Sequence, residues 1–379
     1  MNTAVPAELT YVNLLPGDRC ASLRGRTVNH ESFWFDCLAG RYSVFCFFLS
    51  AADPLGRSAV EAIARHDTRL DDAFASVAAV SISPTDEPEL RDRERIPGVR
   101  FVWDFDLAFS RACGAVGTGG PPGAAQAARR FWLILDPSLH VLARFPFDPA
   151  DPDHERVFRF IERLPPPAAF GGVEAPAPIL MLPNVFERDF CRTLIAQYET
   201  HGGLESGVVR DNKGVLDAGF KRRKDHIIQD QALIEAACAR IKRRVAPEIE
   251  RLFFMTASRI ERHIVACYAA EDGGHFRPHR DNDYGLTAHR RYAVSINLND
   301  DFEGGGVYFP EYSRRAHKAP AGWALIFPCA ALHAVQPVGA GRRYAYLPFL
   351  YDEAGRTIRD EMRSRIAGAN AAADRAESA

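Results

Sequence analysis

The chain has 379 residues and eight cysteines, but no two cysteines form a Cys-x-x-Cys pair. That removes the usual sequence signatures of a zinc ribbon or a dithiol redox centre. Cys46 in "SVFCFFL" and Cys267 in "IVACY" lie in apolar runs. They read as small core residues of a reducing compartment. An excess of either charge is also missing, with 47 basic against 49 acidic residues and a net charge of -2. Such a balance gives no electrostatic case for nucleic acid or an anionic membrane. No apolar stretch reaches the length of a membrane span. The opening "MNTAVPAELTYVNLLPGD" has no charged segment followed by an apolar one, so a signal peptide is not expected and a cytoplasmic protein is. What is present is ordinary globular composition, 47% hydrophobic and 25% charged. At roughly 100–200 residues per domain the length suits two domains.

The best boundary is "LPPPAAFGGVEAPAPI", 164–179, whose prolines and paired glycines cannot continue a helix or a sheet core. It divides the chain into 1–164, a linker 165–178, a second domain 179–352 and a C-terminal helix or tail 353–379. In the first half, "RYSVFCFFLS", "SVAAVSIS" and "VRFVWDFD" read as strands and the first two as buried on both faces. Helical patterns "RSAVEAIARHDTRLDDAF" and "DEPELRDRERI" separate them. "RRFWLILDPSLHVLARFPF" reads as a hairpin turning at Asp136-Pro137-Ser138, which completes a three-layer α/β domain. The second half opens on "NVFERDFCRTLIAQYETHGG", a helix with Asn184 as N-cap and Gly202-Gly203 as stop. A second helical stretch, "DQALIEAACARIKRRVAPEIERLFFM", should break at Pro247. From 259 onward six short strands with Gly/Pro turns point to a sandwich or barrel, so this domain is α+β. The closing "AGANAAADRAESA" reads as a frayed tail.

"RPHRDNDYG", 277–285, sets His279 and Asp281 two apart. Alone the pair fits a solvated turn as well as a metal site. On an extended strand, however, residues two apart share a face, so both can reach one ion. His333, in "AALHAVQPVGAGRRYAYL", supplies a third ligand at a strand position. Two histidines and a carboxylate on one face of an octahedron leave three positions open, the facial triad of non-haem Fe(II) oxygenases. Counting back across "PVGAG" puts Arg343 nearly opposite His333, where a guanidinium can grip a carboxylate in a two-pronged contact. Asp283 is a rival ligand, but its spacing of four does not suit the same strand geometry. His275 reads as a pocket-wall or solvent residue, and His289 and His317, flanked by arginine or lysine, as surface. Arg222, Arg223, Lys224 and Asp225 read as a solvated charge run or the lining of a substrate entrance.

Residues from about 180 to 352 resemble the Fe(II)/2-oxoglutarate-dependent dioxygenases, most closely the prolyl 4-hydroxylase-like branch. The resemblance rests on "IVACYAAEDGGHFRPHRDN", "YAVSINLNDDFEGGGVYFP" and "PAGWALIFPCAALHAVQPVGAGRRYAYL". It implies a double-stranded β-helix (jelly-roll) with packing helices. It also implies Fe(II) on His279, Asp281 and His333, and 2-oxoglutarate on Arg343 with Tyr268 lining its pocket. Dioxygen would be the second co-substrate and ascorbate the reductant. The implied reaction hydroxylates an unactivated C–H bond, of a prolyl residue or an amino-acid-like substrate, and releases succinate and carbon dioxide.

Residues 12–147 resemble the peroxiredoxin branch of the thioredoxin fold, through "LLPGDRCASLRGRTVNHESFWFDCLAGRYSVFCFFLS" and "RRFWLILDPSLHVLARF". That chemistry needs a thiolate at the start of the helix after the first buried strand. Here "AADPLGRSAVEAI" stands there, with no cysteine between Cys46 and Cys113. A thioredoxin-like domain without peroxidase activity is expected, one that binds a partner, a substrate or a second copy in a homodimer. The rival readings of the chain are a thiol peroxidase and a non-catalytic redoxin-type interaction protein.

Overall fold

"YSVFCFFL" and "ASVAAVS" become neighbouring parallel strands, β1 (Tyr42–Leu49) and β2 (Ala75–Ser81), with every residue of both buried. Tyr42, Val44, Cys46 and Phe48 enter a core with the helix that follows β1, while Phe45 and Phe47 pack against Phe109 on the other face, the first edge-on. A strand covered on both sides has no polar face to show, which is why its sequence does not alternate. The computed structural model describes residues 9–66, 69–119, 128–172, 174–210 and 213–377. It divides into two compact units, Met1–Ala175 with Pro310–Ser313, and Pro176–Phe309 with Arg314–Ala379.

In the first unit, β3 (Val99–Trp103) pairs parallel to β2, and the hairpin β4 (Phe131–Leu135) and β5 (Val141–Pro146) pairs antiparallel to β1. The sheet order is therefore β3-β2-β1-β4-β5. Helix α1 runs Pro54–Arg65, earlier at both ends than the sequence pattern suggests. The reason is local: the Asp53 carboxylate accepts from the Leu55 and Gly56 amides, and Pro54 occupies the first turn, where its missing N–H costs nothing. Asp67 and Thr68, part of the expected helix, lie outside the described residues. "DEPELRDRERI" is helical only over Asp86–Leu90, followed by a 3-10 turn at Arg91–Arg93.

In the second unit, α2 (Arg188–His201) starts later than expected. Asn184 has φ 51 and belongs to the preceding turn, so Glu187 is the capping position, and the helix ends at Gly202 as the sequence suggests. Helices α3 (Gln231–Arg244) and α4 (Ala246–Phe253) divide beside Pro247, which sits in the first turn of α4. Two sheets follow. The larger contains β6 (Lys224–Ile227), β7 (Arg259–Glu261), β8 (Ile264–Ala269), β10 (Tyr292–Asn297), β12 (Ala324–Pro328), β14 (Val338–Tyr346) and β15 (Phe349–Tyr351). The smaller contains Lys221–Arg222, β9 (His275–His279), β11 (Val307–Phe309), β13 (His333–Val335) and Ser313–His317. Alternation along β8 divides its side chains. Val265, Cys267 and Ala269 pack in one core with Leu194, Ala237 and Ile241 of the helices. Ile264, Ala266 and Tyr268 share the other core with Val307, Phe309 and Val335 of the smaller sheet. The helices thus cover one face of the large sheet, and the two sheets meet over the other. The C-terminal segment is not a frayed tail through most of its length: the helix Glu353–Glu377 continues across it, as alanine-rich sequence favours. Its last two residues lie outside the described ones.

Candidate metal centre

His279 ends β9 and His333 begins β13, and the antiparallel pairing of those strands sets the two directly opposite each other. Their ring centroids are 4.2 Å apart. The pairing is irregular between Phe276 and His279 because Pro278 has no N–H for the ladder. Beyond the strand, the Asp281 amide donates to the Cys329 carbonyl at 2.9 Å, which brings its carboxylate back to the histidines. The Asp281 oxygens lie 3.8 Å from His279 Nε2 and 3.4 Å from His333 Nε2. One ligand atom from each of the three residues falls within 4.8 Å of the others.

The donor chemistry fits a divalent iron. His279 Nδ1 donates to the Arg277 carbonyl at 2.7 Å, and His333 Nδ1 to the Ala331 carbonyl at 3.0 Å. A carbonyl only accepts, so each proton is fixed on Nδ1 and each Nε2 lone pair faces the cluster. Burial, reinforced by His333, holds His279 well below the usual imidazole range and so neutral. Burial alone would raise the Asp281 carboxyl, but His333, His279, Arg262 and Arg290 outweigh it and lower it. Neutral imidazoles and an ionised carboxylate are the forms a metal needs.

The cluster forms one wall of a cavity open to solvent on one side. Arg343 is another wall, 2% exposed. The expectation that it faces His333 across a hairpin is wrong. The chain changes sheets at Pro337, so His333 pairs with His279 in the smaller sheet while Arg343 pairs with Tyr268 in the larger one. Both reach the same cavity because the sheets face each other over it. Arg343 Nε donates to Asn297 Oδ1 at 2.9 Å and Nη2 to Ser295 Oγ at 2.8 Å. Both partners are neutral, and burial lowers the pKa of the guanidinium. Tyr268, 2% exposed, lies between two cations. Its hydroxyl accepts from Arg223 Nη1 at 3.2 Å, and Arg343 stands 5.3 Å from its ring centroid.

The charge run 222–225 splits. Arg223 is buried, lines the cavity, and pairs with Asp225 at 2.6 Å. Arg222 instead bonds the Ala218 and Asp272 carbonyls, and Lys224 pairs with Asp272, both away from the cavity lining. The preceding Lys221 is also buried, and burial together with Arg223 pulls its ammonium down to about 6. His275 bonds the Gly273 and Gly219 carbonyls and does not line the cavity, nor does Asp283. His289 is not a surface residue: it is 2% exposed, with Nε2 at 2.9 Å from the Glu261 carboxylate. His317 is half-buried at the end of its strand. Sequence reasoning passed over Arg262, Ser295 and Asn297. The last two had a signal, since "YAVSIN" places polar residues at alternate, inward positions of an otherwise apolar strand.

Residues 238–351 match the model of the 2OG-Fe(II) oxygenase superfamily, so the chain carries a domain of that kind. The matched segment contains His279, Asp281, His333, Arg343 and Tyr268. Among curated proteins, the chain is 25% identical over 189 residues to the rat multifunctional procollagen lysine hydroxylase and glycosyltransferase LH3, covering 48% of this chain and 24% of that one. It is 26% identical over 187 residues to human procollagen-lysine,2-oxoglutarate 5-dioxygenase 2, covering 47% and 24%. The chain therefore spans about a quarter of the length of these relatives. Among solved structures, a Trichoplax adhaerens prolyl hydroxylase in complex with a hypoxia inducible factor peptide fragment aligns with TM-score 0.38 at 19% identity, covering 48% of this chain and 86% of that one. A Pseudomonas putida prolyl-4-hydroxylase aligns with TM-score 0.34 at 15% identity, covering 46% and 92%.

Proposed function

We propose that the second unit is an Fe(II)- and 2-oxoglutarate-dependent dioxygenase that hydroxylates an unactivated C–H bond of a prolyl residue or an amino-acid-like substrate. The observation that carries this reading is the convergence of His279, Asp281 and His333 on one wall of a cavity whose other wall holds Arg343. The reaction converts substrate, 2-oxoglutarate and dioxygen into hydroxylated substrate, succinate and carbon dioxide. Bound Fe(II) supplies the oxygen-activating chemistry, with ascorbate as its reductant, and His279, Asp281 and His333 hold it. Arg343 fixes the distal carboxylate of 2-oxoglutarate, itself aimed by Ser295 and Asn297 so that little side-chain freedom is lost on binding. Phe276, Phe327 and Phe349 line the cavity and exclude water from the reacting carbon.

The test is spectroscopic. Anaerobic Fe(II) with 2-oxoglutarate should give a visible charge-transfer band in the wild-type protein and none in His279→Ala or His333→Ala. A band that survives both substitutions overturns the assignment.

The thiol-peroxidase alternative has little support in the first unit. Cys46 is fully buried in β1 and its thiol is pushed well up by burial. Cys113, also buried, is pushed up by its contact with Cys20 and by burial. Helix α1 begins with Pro54 and offers no thiol. We read this unit as a thioredoxin-like binding module without peroxidase activity, in keeping with its parallel strands closed by an antiparallel hairpin. A cytoplasmic setting is part of the same proposal, supported by cysteines such as Cys46, Cys113, Cys267 and Cys329 that are buried without a disulfide. Among the described residues no helix is long and apolar enough to cross a membrane.

A further inference from the structure

Three arginines besides Arg343 crowd the metal centre, and their partners differ. Arg223 is neutralised by Asp225 at 2.6 Å. Arg290 is neutralised by Glu261 at 2.7 Å. Arg262, a cavity-lining residue between β7 and β8, has no such partner. Its Nε donates to the Leu347 carbonyl at 3.0 Å, its guanidinium stands 4.2 Å from the Phe349 ring centroid, and no carboxylate of the described residues pairs with it. Arg262 also holds φ 66, a left-handed conformation that a residue with a Cβ rarely adopts. Such conformations persist where the surroundings enforce them, and they concentrate at ligand sites.

Two cavity guanidinia, Arg262 and Arg343, thus make no contact ion pair among the described residues, Asp225 and Asp281 acting on Arg262 only from further off, and one 2-oxoglutarate satisfies one of them. Its proximal carboxylate belongs with the metal and its distal one with Arg343. Arg343 is buried and Arg262 half-buried, and a guanidinium drawn out of water without an ion-pair partner is unfavourable, a cost that a bound anion reduces. Around Arg262 the wall is apolar, formed by Leu347, Pro348 and Phe349. Resting on the oxygenase reading above, we propose that Arg262 is the substrate's carboxylate receptor, so that the enzyme hydroxylates an aliphatic carbon close to a free carboxylate. The substrate class is a free amino acid, or the C-terminal residue of a peptide, and not an internal residue of a chain.

The experiment uses the full-length protein loaded with Mn(II) and 2-oxoglutarate, so that binding is read without turnover. The probes are the protein amino acids as free acids, the same amino acids as amides, and dipeptides ending in each with a free C-terminus. Binding is measured by calorimetry and by thermal stabilisation. At least one free acid or free-ended dipeptide should bind, with its amide at least tenfold weaker. The preference between those two arms separates the amino acid from the peptide. Arg262→Met should weaken that acid tenfold or more and leave 2-oxoglutarate affinity unchanged, and Arg262→Lys should recover part of the loss. Equal binding of acid and amide, unchanged acid binding in Arg262→Met, or no acid bound while 2-oxoglutarate binds each overturns the inference. Loss of 2-oxoglutarate affinity in Arg262→Met also overturns it, by giving Arg262 the role assigned to Arg343. Failure of 2-oxoglutarate to bind the wild-type protein overturns the oxygenase reading itself.

Discussion

Arg100 in the first unit, on an edge strand, and Arg343 in the second, on a central one, are both buried arginines, and they differ in what answers their charge. Arg100 meets the Asp72 carboxylate through two bonds, 2.8 Å and 2.6 Å. Arg343 meets only the neutral Ser295 and Asn297. The same contrast extends across each unit. Buried Asp86 and Asp104 of the first unit are saturated by hydroxyls and backbone amides. Around the cavity of the second unit, Arg262 and Arg343 form no contact ion pair among the described residues. A buried charge with a partner serves the fold, whereas one held in place without a partner marks where a ligand is to supply it.

The largest effect should come from the metal ligands, because among the described residues no other carboxylate joins the cluster. Asp281→Ala should abolish Fe(II) retention in equilibrium dialysis and all succinate formation, with the melting transition of the first unit unchanged. Next comes Arg343→Met. Losing a charged partner costs roughly 2–5 kcal/mol, about thirtyfold to a few thousandfold in affinity. The apparent 2-oxoglutarate requirement should rise by that amount while the iron requirement stays. Stability without ligand should hold or improve, since an unanswered buried charge has been removed. A variant that loses stability and keeps its 2-oxoglutarate affinity would erase the contrast with Arg100.

Asp72→Ala is the mirror experiment. It strands Arg100, and because the pair is not wholly enclosed the expected loss is roughly 2–3 kcal/mol, below the range for a fully buried pair. Chemical denaturation should show that loss in the first unit, with 2-oxoglutarate binding untouched.

What the sequence made legible follows the same division between local and long-range physics. His279 and Asp281 were readable because strand periodicity is local, and His333 because a histidine stood at a strand position nearby. The resemblance and the spacing from His333 single out Arg343, which does line the cavity, but the hairpin geometry expected for it is wrong. The sheet change at Pro337 depends on which strands the chain meets later, and nothing between 333 and 343 announces it. His289 looked like a surface residue among arginines because its partner, Glu261, lies 28 positions away in sequence. Arg262 was invisible for the opposite reason: its meaning lies in the carboxylate it does not have, and a missing partner leaves no motif. Helix starts erred where local backbone decided them, at the Asp53 cap and at the turn through Asn184.

Glu261 allows the comparison to be tuned within the second unit, because it separates a paired arginine, Arg290, from an unpaired one. Burial alone would raise its carboxyl, but bonds from His289 and Arg290 hold it down to about 2. A carboxyl depressed in the folded state contributes stability that is fully present above its unfolded value, near 4.5, and is lost as pH falls towards 2. The slope over that window is at most about 1.4 kcal/mol per pH unit. Glu261→Gln keeps the shape and one acceptor but no charge, so Arg290 loses its ion-pair partner, as does Arg359 at 3.6 Å. At pH 7 the variant should be less stable than wild type by on the order of 1–2 kcal/mol, allowing for partial exposure of the site. That gap should stay constant down to about pH 5 and then narrow as the unfolded chain takes up its proton. Urea denaturation of both proteins between pH 7 and pH 3 reads the gap directly. A gap that does not change with pH would mean that Glu261 is not held down by its partners, and that the balance of charge around Arg290 is not what distinguishes it from Arg262.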